Sequence, residues 1–195
     1  MERAAIRVIR DEHLAISAVL YSLRFVARGM RDGGARAASP DVRLLHAMLD
    51  YIVEYPDRWH HPKESRHLFR ALRERDPSAS RLIDALEAEH REGEVRIEAL
   101  GRALTAFERD RGDPAPFASA VEDYARFQWG HIRKEEDLLM PMAERALTDD
   151  DWADIAAAFA ENDNPLYGIR PKDEAALLYR RILDLAPPPI GQRAQ

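Results

Sequence analysis

The chain has 195 residues, which at about 150 residues per domain points to one domain with an extension. Its residues are 46% hydrophobic and 33% charged, enough for a sizeable core and too apolar for disorder. Lys and Arg number 29 against 35 Asp and Glu, a net charge of −6, so there is no basic excess to neutralise nucleic-acid phosphates, and the absence of cysteine excludes disulfides, thiol nucleophiles and thiolate metal sites.

Ala, Leu, Arg and Glu dominate, while Thr occurs twice and Val seven times, a composition that favours helix over sheet. The opening MERAAIRVIRDEH is charged throughout and has no apolar leader region. No run of about 18 apolar residues is present to span a bilayer. A soluble cytoplasmic protein is expected, with neither nucleic acid nor a membrane as partner.

Turn residues divide the chain into helices. The first covers about residues 3–30 and stops before Asp32-Gly33-Gly34. The second starts at Ser39-Pro40, with Ser as N-cap and Pro at the first helical position, and runs to about residue 75, before Asp76-Pro77. The third covers about 78–109 and ends before Gly112-Asp113-Pro114; the fourth covers about 116–146. Four long helices with short connections predict an all-α, up-down-up-down four-helix bundle. Thr148-Asp149-Asp150-Asp151 opens a shorter helix as a capping box, and a last helix is expected over about 173–185, before Pro187-Pro188-Pro189. The expected division is residues 1–147 as the bundle and residues 148–195 as a helical extension packed on it.

The apolar faces carry polar residues. Inward positions read Ile6, Ile9, His13, Ile16, Leu20 and Leu23 in the first helix. In the second they read Leu45, Leu49, Ile52, Pro56, His60, Glu64, His67 and Ala71. In the third they are Ile83, Leu86, His90, Gly93, Ile97, Leu100 and Leu104. The fourth gives Phe117, Val121, Tyr124, Gln128, His131, Glu135 and Leu138. Counting residues from the shared turns at 1.5 Å each puts His13, His60, His90 and His131 at one depth to within roughly 6 Å. Glu64 and Glu135 follow a histidine by one turn on the same face.

A single inward histidine is ordinarily a hydrogen-bonded core residue. Four at one depth with two carboxylates are different, because burying carboxylates unpaired costs several kcal/mol each. None of the inward positions is Lys or Arg, so a metal supplies the charge. Imidazole plus carboxylate without thiolate suits Fe, Mn or Zn. Two octahedral ions need about twelve positions, of which bridging carboxylates, a solvent bridge and four histidines leave about two open.

These residues resemble the hemerythrin-like, HHE cation-binding family over about residues 3–146. The matching motifs are His13 in RDEHLAI, His60 and Glu64 in WHHPKES, His90 in EAEHREGE, and His131 and Glu135 in GHIRKEEDLLMP. The resemblance implies a non-haem di-iron centre, with both Glu bridging two Fe ions, for which Zn or Mn could substitute. It also implies a small diatomic or peroxide ligand: dioxygen or nitric oxide bound or sensed, or peroxide. The alternatives are a ferroxidase- or peroxidase-like enzyme, or an iron-buffering protein without turnover. Respiratory members resemble His-x-x-x-His in the third helix, whereas here His90 is followed by Glu94. That departure argues against a dedicated oxygen carrier. Glu94 is then an extra ligand or a partner behind one. His61 is a supplementary ligand or a surface histidine between helices. His67 lines the pocket or is simply hydrogen-bonded, and His46 lies off the inward face. Glu136 and Asp137 face solvent or stand behind a ligand. Pro56 and Pro62 predict a kink at 56–62 that widens the bundle or is merely tolerated. Tyr55, Tyr124 and Trp129 are core aromatics or groups that serve a bound ligand.

Overall fold

The computed structural model describes residues 3–33, 42–110 and 112–160, and all its regular elements are helical. Helix α1 is Ala4–Gly33. Helix α2 is continuous across 42–75 but contains two π-helical stretches, Val53–His60 and Glu64–Phe69. A 3-10 turn, Pro77–Ala79, leads into α3, Ser80–Asp110. Helix α4 spans 115–146 with a π stretch at Glu135–Leu139, and α5 is Asp149–Ala160. The expected helix at 173–185, its closing prolines and the Ser39-Pro40 cap lie outside the described residues. Among the described residues, no helix is long and apolar enough to cross a membrane.

Local chemistry sets the helix starts. Asp76 accepts a hydrogen bond from the Ser78 N–H (3.0 Å) ahead of α3, and Asp113 accepts from Ala115 N–H (2.9 Å) at the start of α4. The expected capping box opens α5: Asp151 Oδ2 accepts from Thr148 N–H at 2.9 Å, and Thr148 Oγ1 accepts from Asp151 N–H at 3.3 Å.

Helix α1 packs on α2, α4 and α5, and α3 packs on α2 and α4. The apolar interior falls into two clusters. One gathers Ile16 to Met30, Leu44 to Tyr55, Ile97 to Leu104 and Phe117 to Tyr124. The other gathers Ala5 to Ile9, Leu68 to Leu72, Ala79 to Leu86, Leu139 to Leu147, and Trp152, Ile155 and Phe159 of α5. In every long helix a polar stretch falls between the two. Buried there are Glu12, His13, His60, His61, Glu64, His90, His131 and Glu135.

The phase read from sequence holds in α1 and α3, where every expected inward residue is buried. It slips after the π stretches. A π turn takes up an extra residue, so the following side chains rotate relative to an α-helical count. In α2 the buried residues beyond Glu64 are Leu68, Phe69 and Leu72, while His67 and Ala71 are only half-buried. In α4 Leu139 is buried and Leu138 is 52% exposed. The kink expected from Pro56 and Pro62 takes this form: Pro56 lies within the first π stretch, and Pro62 sits at the start of the short α-helical segment His61–Lys63 between the two.

Candidate metal centre

The polar layer resolves into two groups of converging donor atoms. His13, His60, Glu64 and Glu135 form one; His61, His90 and His131 form the other. His13 and His60 bring their Nε2 atoms to 3.1 Å, and so do His90 and His131. His61 stacks face to face on His90, with ring centroids 4.0 Å apart.

The carboxylates stand between the groups. Glu64 turns Oε1 toward His13 and His60 (3.8 and 3.5 Å from their Nε2 atoms) and Oε2 toward His90 (3.6 Å). Glu135 mirrors it, with Oε2 3.3 Å from His13 and Oε1 3.5 and 3.0 Å from His90 and His131. Each carboxylate thus offers one oxygen to each histidine group.

Behind four of the imidazoles stands another carboxylate. Glu12 Oε2 lies 2.7 Å from His60 Nδ1, Glu136 Oε1 3.0 Å from His13 Nδ1, and Glu89 Oε2 3.1 Å from His131 Nδ1. Asp57 Oδ1 lies 3.4 Å from His61 Nδ1. Nδ1–H donation from His60, His13 and His131 to Glu12, Glu136 and Glu89 leaves Nε2 aimed inward, the arrangement in which histidine ligates a metal.

Burial and these charges oppose each other. Burial pushes the His13 imidazole down, but Glu135, Glu136 and Glu64 outweigh it and hold it well above the usual histidine range. His131 is likewise raised, to about 10, because Glu135 and Glu89 overcome burial. His60 is raised by Glu64 and Glu12 against the same penalty. Burial raises the Glu135 carboxyl, yet His131, His13 and His90 bring it well below the carboxylate range. His61 goes the other way, pushed well down by burial and by the neighbouring His90, His60 and His131. Burial lifts Asp57 to about 7, helped by the charge of Glu94.

The donor set fits a metal. All four oxygens of Glu64 and Glu135 are buried without a hydrogen-bond partner, although imidazole nitrogens crowd around them. Nε2 atoms 3.1 Å apart must share a proton or flank a cation. Bound metal would satisfy nitrogens and oxygens together.

All six residues expected from the motifs, His13, His60, Glu64, His90, His131 and Glu135, therefore meet in this layer, and His61 joins them. Glu94 does not: it is exposed on α3 and belongs to neither group. His67, half-buried after the π stretch begins, is also in neither group. His46 pairs with Glu108 at 2.9 Å, away from the layer. Tyr55 and Tyr124 are buried in an apolar cluster, and Trp129 packs on it with the Arg24 guanidinium over its ring. Glu136 stands behind His13, and Asp137 is exposed. Sequence reasoning missed Glu12, Glu89 and Asp57. A signal was available for two of them: Glu12 and Glu89 each immediately precede an inward histidine, and each serves a histidine on the next helix.

Comparison with known proteins agrees with this geometry. The family model described as the hemerythrin HHE cation binding domain matches residues 4–143. No curated protein matches the chain.

Proposed function

The chain belongs to the hemerythrin HHE cation-binding family, and from that premise we propose that it holds two non-haem iron ions and uses them to bind or sense a small oxidant such as dioxygen, peroxide or nitric oxide. The observation that carries this reading is the division of each buried carboxylate between two histidine groups, as a bridge between two ions requires.

His13 and His60 would hold one ion; His61, His90 and His131 would hold the other; Glu64 and Glu135 would span both. The side with two imidazoles has fewer protein donors and would leave more room for a small ligand. When bound, the irons supply the ligand's position and one-electron chemistry. The protein's own part is to fix the donors, neutralise the ions and exclude bulk water. Phe159 of α5 sets its ring edge-on against His60, and Phe69 stacks on His90.

We take residues 1–147 to be the bundle, in up-down-up-down order, and residues 148–195 to be its extension, of which α5 packs on the bundle. The order is supported by the two apolar clusters, which each helix visits in the reverse sequence to its predecessor. The seating of Trp152, Ile155 and Phe159 in one of those clusters supports the packing.

The test is elemental analysis of protein reconstituted anaerobically with ferrous iron. About two irons per chain are expected for this ligand class, and under about half an ion would overturn the reading. Titration of the loaded protein with dioxygen, peroxide and nitric oxide should change its visible spectrum with at least one of them; silence toward all three would leave a metal-binding protein without the oxidant role.

A further inference from the structure

The four carboxylates behind the imidazoles are unequal. Glu136 and Glu89 have side chains 34% and 18% exposed, and Glu89 also receives the Lys134 ammonium. Asp57 is 8% exposed and sits on the same helix as the His61 it faces. Glu12 is 1% exposed and makes the shortest of the four contacts, 2.7 Å to His60 Nδ1. It comes from α1 and acts on α2, so it also ties together the two helices that carry His13 and His60.

We propose that Glu12 is a positioning residue of the metal centre, fixing His60 through Nδ1 and biasing the ion held by His13 and His60 toward its higher oxidation state. The proposal rests on the two-iron reading given above. A carboxylate on the far nitrogen makes imidazole a stronger donor and locks its tautomer and ring plane. A negative charge acts further in a dry interior than at a wet edge. Glu12 lies in the dry interior, 1% exposed, whereas Glu89 is 18% exposed at a wetter edge. Glu12 therefore stabilises added positive charge on the His13 and His60 side more than Glu89 does on the other. Position in the sequence makes this possible. Glu12 is one residue before His13, about 100° around α1, so both side chains sit at the same depth while Glu12 reaches across to α2.

The experiment compares the full chain with Glu12→Gln and Glu89→Gln, each reconstituted with ferrous iron. Gln keeps the volume and a carbonyl acceptor but loses the charge. Glu12→Gln should bind its more weakly held iron about 10- to 100-fold less tightly. Its midpoint potential should rise in mediated titration, and one of its two Mössbauer doublets should change, the other staying as in the unaltered chain. Glu89→Gln should change affinity and potential less. An unchanged or lowered potential in Glu12→Gln, or an equal shift in the two variants, would overturn the proposal even if affinity falls. If Glu12→Gln does not fold by circular dichroism, Glu12→Asp carries the comparison. It keeps the charge, so its potential should stay near that of the unaltered chain while affinity drops, and a raised potential would overturn the charge argument. Failure of the unaltered chain to hold two irons would instead sink the two-iron reading itself.

Discussion

Replacing Glu64 with Gln separates what this side chain does for the ions from what it does for the fold. Glu64 is 0% exposed, and its oxygens face His13 and His60 on one side and His90 on the other. A unit charge about 4 Å from another is worth roughly 4 kcal/mol at an effective dielectric near 20. A carboxylate shared by two ions contributes that to each, and it also offsets their mutual repulsion. Allowing for the amide dipole and for water that enters, we expect a loss of at least about 3 kcal/mol, a roughly 100-fold weaker second ion. His60→Ala removes one donor from one ion and leaves both bridges, so it should cost less. The metal-free protein should respond differently. Without the Glu64 charge His13 and His60 shed protons instead of remaining as unpaired cations, so apo stability should move by no more than about 1 kcal/mol. The assay is iron per chain after reconstitution, together with urea unfolding in the presence of chelator. Two irons retained by Glu64→Gln would remove Glu64 from the bridge. A fall of several kcal/mol in the chelated protein would mean that metal is lost only because the fold is lost, and would refute the reasoning equally.

The remaining predictions probe the edges of the site and the docking of α5. His61→Ala should lower iron to about one per chain, because His61 lies among the donors of the second group; Glu94→Ala and His46→Ala, altered outside both groups, should leave loading unchanged by elemental analysis. Asp151 is held down at about 2 by the Arg75 guanidinium and by Thr148, below its ordinary 3.8. Its stabilisation is therefore present above the ordinary value and lost as pH falls through about 2. Asp151→Asn should cost about 1 kcal/mol at neutral pH, with the gap closing between the two values; a gap that widens on acidification, followed by thermal melts, would contradict the assignment.

Much of the centre was legible because metal ligands must break the apolar pattern of a buried face. His13 and His90 sit in uninterrupted helices, α1 and α3, so a simple helical count placed them and every inward neighbour. The carboxylates behind them were harder to see. An acid next to an inward histidine looks like an ordinary boundary residue, and only the packing of the neighbouring helix reveals that Glu12 and Glu89 point across an interface.

His61 shows where the count fails and why that matters to the site. Consecutive residues of an α-helix point about 100° apart, so with His60 turned inward a regular helix would send His61 toward the edge of the bundle. Both are buried here, His60 against His13 and His61 against His90. What brings them together is the pair of π stretches, one ending at His60 and the other beginning at Glu64, with Pro56 inside the first and Pro62 just beyond His61. The wider turns and the missing proline N–H groups loosen the regular winding where His60, His61 and Glu64 all turn into the polar layer. Helix α4 repeats the device, its π stretch beginning at Glu135. The irregular backbone belongs to the two helices that carry the candidate bridges, while the other two remain regular. A third-helix pair of histidines is absent from this chain, and a fifth imidazole instead becomes available from α2 because the backbone there departs from a plain α-helix.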